Sequence, residues 1–139
     1  MESVMVSVNC QSDDLFFEML TKVVFYTGFH RGVVERKWAN FQQVFCGFSI
    51  AKVAAFDAVD IEKLLEKDSP IIKNSRKVIA TVENAKVCQE LILEYGSISD
   101  FLKYVQEERK CSLEGEFRRI FHLVGESAAH ALIEDLKQI

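Results

Sequence analysis

Proline is almost missing from this chain, with one residue in 139, and glycine is scarce at six. Sandwiches and barrels use those residues in their many tight turns, so the shortage argues for helices joined by short connections. Basic charge is also in deficit: 17 Lys and Arg face 21 Asp and Glu, a net charge of −4. That excludes a generic polyanion binder and confines any nucleic-acid contact to one face of an acidic body. No apolar run approaches the roughly 20 residues that a membrane-spanning helix needs. The four cysteines, Cys10, Cys46, Cys88 and Cys111, lie far apart and form no C-x-x-C pair. With no secretory leader in view, reduced thiols in a cytoplasmic protein are expected, with no membrane association. Low-complexity tracts and repeats at solenoid period are absent as well.

What the chain has is a core. Apolar residues make up 49% of it, 11 of them phenylalanine, against 27% charged, a balance that suits a folded domain. One all-α domain over 1–139 is expected, with seven or eight short helices and an extended arm at 1–11. Ser12 reads as the N-cap of a helix over 13–26, with Asp13 and Asp14 suited to its first turn. Gly28 breaks it. A second helix is expected over 32–45, carrying Val33, Val34, Trp38, Phe41 and Phe45 inward. Ser49 opens a short third one. Gly96 reads as a C-cap and Ser97 as the next N-cap, followed by a polar loop over 106–110. The remainder reads as a helix to about Phe121, a break near Gly125, and a last helix with Ala128, Leu132 and Leu136 inward.

Between these lies DAVDIEKLLEKDSPIIKNSRK, residues 57–77. Asp57 caps a helix whose apolar face is Ala58, Ile61, Leu64 and Leu65. Lys67-Asp68-Ser69-Pro70 stops it, because proline removes a donor and biases the residue before it away from α. A long helix then starts near 73–75, so Lys73, Arg76 and Lys77 crowd a helix N-terminus that already disfavours cations. Either a bound phosphate compensates them or they are ordinary solvated charges.

LFFEML (15–20), NFQQVFCGFSIAKVAAF (40–56), DIEKLLEKDSPIIKNSRKVIATVENAK (60–86) and FHLVGESAAHAL (121–132), in that order, resemble the DNA-3-methyladenine glycosylase I family. This is a family of helix-hairpin-helix DNA glycosylases. The resemblance implies base-excision repair: an alkylated base such as 3-methyladenine is flipped out of duplex DNA and its N-glycosidic bond hydrolysed, without a cofactor. An extruded base needs an aromatic wall and polar groups at its edge. The resemblance makes the hairpin a phosphate clamp built from Ser69, Ile71, Lys73, Asn74, Arg76 and Lys77. It places Phe29, beside Gly28, where a wedge into the DNA gap would stand, or where an aromatic simply packs. Phe25, Tyr26 and Arg31 become candidates for the base pocket.

The chain departs from the family in three places. The family's pocket glutamate falls at Val23, which can neither take a proton nor stabilise a cation. Its pocket tryptophan falls at Arg31. Glu18 and Glu35 are the surviving carboxylates near that site, and their ordinary alternatives are a surface acid and a partner for Arg36 and Lys37. The family's zinc clip has only Cys10 near the N-terminus, so no metal site is expected, and His122 and His130 read as ordinary histidines. The hairpin carries Ser69-Pro70 where such motifs commonly use glycine. Three functions remain open: a damaged-base glycosylase, a silent module that still grips damaged DNA, and a protein-interaction domain.

Overall fold

The computed structural model describes residues 12–28, 30–109 and 112–138, and among them there is no strand. The helices are α1 (Asp13–Tyr26), α2 (Arg31–Arg36), α3 (Trp38–Val44), α4 (Ile50–Ala54), α5 (Ala58–Leu64), α6 (Ser75–Tyr95), α7 (Ile98–Tyr104), α8 (Leu113–Ile120) and α9 (Glu126–Lys137). Short polar side chains start most of them. Ser12, Ser49, Asp57, Asn74, Ser97 and Ser112 each accept a hydrogen bond from a backbone N–H three residues on. Such caps contribute about 1 kcal/mol apiece. At α5 the cap is reciprocal, since the Asp60 carboxylate also accepts from the Asp57 N–H at 3.0 Å. At its far end α6 stops at Gly96, which takes φ +97°, a conformation that glycine reaches without a Cβ clash.

Helices α1 and α6 form the centre. Around α6 pack α4, α5 and α7, while α9 lies on α1 and pairs with α8. Phe16, Phe117 and Phe121 form one aromatic cluster, with ring centroids 5.9–6.0 Å apart. Trp38 anchors another, stacked at 4.9 Å on Phe41 and at 5.2 Å on Phe48. Between α3 and α4, Cys46, Gly47 and Phe48 make a tight turn in which all three take positive φ. Left-handed backbone costs roughly 1–2 kcal/mol per non-glycine residue, and the burial of Phe48 against Trp38 and Phe17 opposes that cost.

The two acids in the first turn of α1 do more than stabilise its own dipole. The Asp13 carboxylate accepts the Ile98 N–H at 2.9 Å and Asp14 accepts that of Ile50 at 3.0 Å. Each therefore sits at the N-terminus of a second helix, α7 or α4, where an anion is favoured.

Two local expectations are corrected. The helix over 32–45 is two helices, broken at Lys37 (φ −98°, ψ 2°), where packing of Trp38 on Phe48 overrides the continuous apolar stripe. The described part of the expected loop at 106–110 continues α7 as a wider turn over Val105–Arg109. Two of its polar side chains are engaged, Gln106 Nε2 donating to the Leu102 carbonyl at 3.2 Å. Arg109 pairs at 3.0 Å with Glu116, which is 5% exposed and also held by Arg119 at 2.5 Å. A carboxylate that deep needs its cations close by.

Candidate nucleic-acid interface

Residues 65–74 connect α5 to α6 and form the hairpin. Ile71 is driven into the core at 3% exposure, with Ile72 half-buried beside it, so the connection is fastened from below. Asn40 Nδ2 on α3 donates to the Pro70 carbonyl at 3.2 Å, and Lys73 Nζ donates to the Lys67 carbonyl at 2.7 Å. Asn74 ends the connection. Its side chain takes the Lys77 N–H at 3.1 Å and its carbonyl takes the Val78 N–H at 2.9 Å. The Ser75 and Arg76 N–H groups are left without an intrahelical acceptor at the positive end of a 21-residue helix. Among the described residues, no carboxylate pairs with Arg76.

The residues expected in the clamp are thus brought together, but not in one role. Arg76 and Lys73 stand at the surface. Ser69 turns inward, its hydroxyl out of solvent and without a partner among the described residues. Lys77 leaves the surface altogether. It is 9% exposed, and its ammonium donates to the Thr27 carbonyl and, at 3.3 Å, to that of Phe25. Burial pulls its pKa below the usual lysine range, while the two carbonyls favour the cation and oppose that shift.

Further along α6, Asn84 is 1% exposed and brackets the backbone of His122. Its Nδ2 donates to the His122 carbonyl at 3.2 Å, and its Oδ1 accepts the His122 N–H at 2.7 Å. This pins the connection between α8 and α9 beside the start of α6. There Leu123 takes φ +59° and stays partly exposed. Arg76, Ile79, Ala80, Glu83, His122 and Leu123 line a cavity of about 270 Å³ between them.

At the other end of the Lys77 bridge, α1 runs out at Thr27 and Gly28, the latter with φ +81°. Tyr26 is half-buried there. Its hydroxyl donates to Glu35 at 2.7 Å, and the Arg31 guanidinium lies 4.4 Å over its ring. Burial, followed by the Glu35 carboxylate, pushes the Tyr26 hydroxyl up to about 12. Asp135 on α9 faces Arg31 and Lys22; burial raises its pKa and those two cations lower it. Lys22 in turn sits 5.1 Å over the Trp38 ring, whose Nε1 donates to Glu18 at 2.7 Å. Gln42 donates to the same Glu18 oxygen at 2.9 Å.

These contacts revise several site expectations. Phe25 is fully buried and packs edge-on to Phe41 at 4.7 Å, a core residue rather than the wall of an open pocket. Tyr26 and Arg31 are indeed adjacent. Val23, where the family's glutamate falls, is 1% exposed inside the core. Glu18 is not a plain surface acid, because Trp38 and Gln42 hold it. Glu35 bonds Tyr26 rather than pairing with its sequence neighbours Arg36 and Lys37. Asp135, near the end of α9, is half-buried. Phe29 lies outside the described residues, as does the arm at 1–11. Among the described residues no group of three or more His, Cys, Asp and Glu side chains could hold a metal ion. No described helix is long and apolar enough to cross a membrane. Asn84 was the residue without a role in the sequence; its one signal is a polar side chain set in the apolar stripe of α6.

A family model described as methyladenine glycosylase matches residues 6–139. No curated protein sequence matches the chain. Among solved structures, a glutamate-to-glutamine mutant of 3-methyladenine DNA glycosylase I from Staphylococcus aureus is similar, at 20% identity and TM-score 0.78. The alignment covers 91% of this chain and 77% of that one. A structure from the same organism, described as the basis of 3-methyladenine recognition, matches at TM-score 0.77 with the same identity and coverage. Another 3-methyladenine DNA glycosylase I matches at TM-score 0.75 and 20% identity, covering 91% of this chain and 79% of that one. At that identity the likeness establishes the fold.

Proposed function

The chain belongs to the methyladenine glycosylase family, and we propose that it is a DNA glycosylase hydrolysing the N-glycosidic bond of alkylated bases such as 3-methyladenine in duplex DNA. The observation that carries this reading is the family match over nearly the whole chain, hairpin included. The geometry of the hairpin supports it. Arg76 is exposed in the first turn of α6, where the N–H groups of Ser75 and Arg76 have no intrahelical acceptor, a setting suited to a phosphate.

The chemistry follows from the leaving group. An N3-alkylated purine is already cationic, so the bond between C1′ and the base breaks with the electron pair going to a base that departs neutral. The sugar is left as an oxocarbenium ion, which water then captures. The protein's share is to hold the base out of the stack, exclude bulk water and place negative charge near the cation. Val23 cannot do the last. Of the two carboxylates in reach, Glu18 is ten residues before Gly28, about 15 Å back along the helix, and two donors already occupy one of its oxygens. Glu35 sits at the corner where α1 ends, bonded to the Tyr26 hydroxyl, and is the better placed of the two.

Burial of Val23 favours a second reading, a module that grips damaged DNA without cleaving it. One experiment separates them. The protein is incubated with methylated duplex DNA and released 3-methyladenine is measured, with Arg76→Glu as the binding control and Glu35→Gln as the chemical one. Release that Arg76→Glu diminishes supports the glycosylase, and a further loss in Glu35→Gln assigns that carboxylate a part in the chemistry. Retained binding without release leaves the silent module, and no binding at low salt sinks both. Arg76→Ala should lower the slope of log K against log salt by about one phosphate's worth, near 0.9.

A further inference from the structure

Among the described residues, Lys77 touches both halves of the proposed machinery. Its backbone N–H is held by Asn74, the last residue of the hairpin. Its ammonium is held by the Phe25 and Thr27 carbonyls, 52 and 50 residues away in the chain, at the end of α1. The final turn of α1 has no basic residue of its own, so Lys77 supplies the cation that terminus otherwise lacks. It also lies 5.9 Å from the Phe25 ring centroid, which fixes its approach. One side chain therefore bridges the end of the hairpin and the last turn of α1.

We infer that Lys77 is a positioning residue that sets the distance between the phosphate clamp and the turn where a flipped base must be received. This rests on the glycosylase reading, or on its silent DNA-gripping variant. A clamp that grips the backbone contributes to affinity for any duplex. Reception of an extruded nucleotide requires in addition that clamp and turn be in register, and misplacement by about 1 Å costs on the order of 100-fold. Lys77 should therefore matter for the distorted site and little for undamaged DNA. A phosphate-contacting lysine would weaken both alike.

The test uses the full chain and two duplexes at one fixed salt concentration, one undamaged and one carrying a tetrahydrofuran abasic analogue, together with single-turnover base release from methylated DNA. Lys77→Met keeps the stem and removes the cation; Lys77→Arg keeps a cation in a longer, planar form. Expected for Lys77→Met is undamaged-duplex affinity within about twofold of the parent. Its preference for the abasic analogue should disappear and base release should fall about 100-fold. Partial recovery in Lys77→Arg would support the cation as the positioning group. Circular dichroism and urea unfolding identify a variant that has merely lost its fold, and in that case Lys77→Gln is measured in its place. Equal loss on both duplexes overturns the inference in favour of direct phosphate contact. Undiminished preference and release overturn it outright. A parent protein with neither preference nor release overturns the function first, so the two failures are distinguishable.

Discussion

Replacing Asn84 by alanine should cost the domain about 2–3 kcal/mol. The side chain is 1% exposed and makes two hydrogen bonds to the backbone of one residue, His122. A satisfied bond contributes about 1 kcal/mol net, and a donor or acceptor left buried costs roughly 1–3 kcal/mol more. His122 itself is an exposed residue. Its freed N–H and carbonyl therefore regain some water, which keeps the sum near the low end of that range. For a domain of this length each kcal/mol lowers Tm by about 3–4 °C, giving a drop of roughly 6–12 °C.

Urea unfolding is the direct assay, and Trp38 is its reporter, being the sole tryptophan and lying in a different aromatic cluster. The midpoint should fall while the m-value holds, since the surface exposed on unfolding is unchanged. Glu83→Ala is the control. It lies one residue before Asn84 and only meets Lys86 in an exposed pair at 3.3 Å, so its effect should stay within about 0.5 kcal/mol. If Asn84→Ala is equally mild, the bracket does not hold the turn between α8 and α9, and the packing of Leu123 beside Arg76 needs another cause.

Two further outcomes test the local physics. Tyr26 should ionise late: its folded pKa of about 12 exceeds the unfolded value of 10.0. The stabilisation linked to it is therefore intact below about pH 10 and is lost as pH climbs through 12. Ultraviolet titration of the phenolate should show Glu35→Gln ionising earlier, and an unmoved curve would remove Glu35 as a cause. Gly47→Ala tests the turn before α4. A Cβ there meets nothing within 4 Å, so the whole effect is the cost of φ +68°, about 1 kcal/mol by urea unfolding. A neutral result would mean that the turn relaxes.

Where a structural cause lies within three or four residues, it could be read directly from the chain. Ser12, Ser49, Asp57, Asn74 and Ser97 announce helix starts because a cap is a bond between near neighbours. Gly96 announces an end because it alone takes that backbone angle without strain. The hairpin was legible for the same reason. What stayed hidden depends on which surfaces meet. Lys77 at a helix N-terminus looks the same in sequence whether it points to solvent or to carbonyls 50 residues earlier. Asp13 reads as a first-turn acid, and nothing local says that it also caps a helix 85 residues later. Glu18 reads as a surface acid until α3 brings Trp38 and Gln42 against it. The helix over 32–45 failed in the opposite direction, since its apolar period is continuous and the break at Lys37 goes with contacts of Trp38 to Phe48 and Glu18 that lie outside the segment.

The charges that crowd the start of α6 therefore do two different jobs. Arg76 keeps the outward position that an anion would occupy, whereas Lys77 turns back to neutralise the end of α1. The segment that reads as a cluster of three cations divides, in the folded chain, into exposed Lys73 and Arg76 and an inward Lys77. The same division bears on the chemistry. With Val23 sealed in the core, negative charge for a developing sugar cation has to come from the α1–α2 corner. There Glu35 is already bonded to Tyr26, and Arg31 lies over the same ring. Asp135 likewise faces two cations, Arg31 and Lys22. A corner that is close to neutral offers little electrostatic help to the transition state, normally the largest single contribution to such catalysis. What remains is restraint of the base and exclusion of water, which suffice only for bases that are good leaving groups already. On the glycosylase reading, the valine at position 23 thus narrows the proposed substrates to cationic alkylated purines, while the proposed grip on DNA rests on other residues.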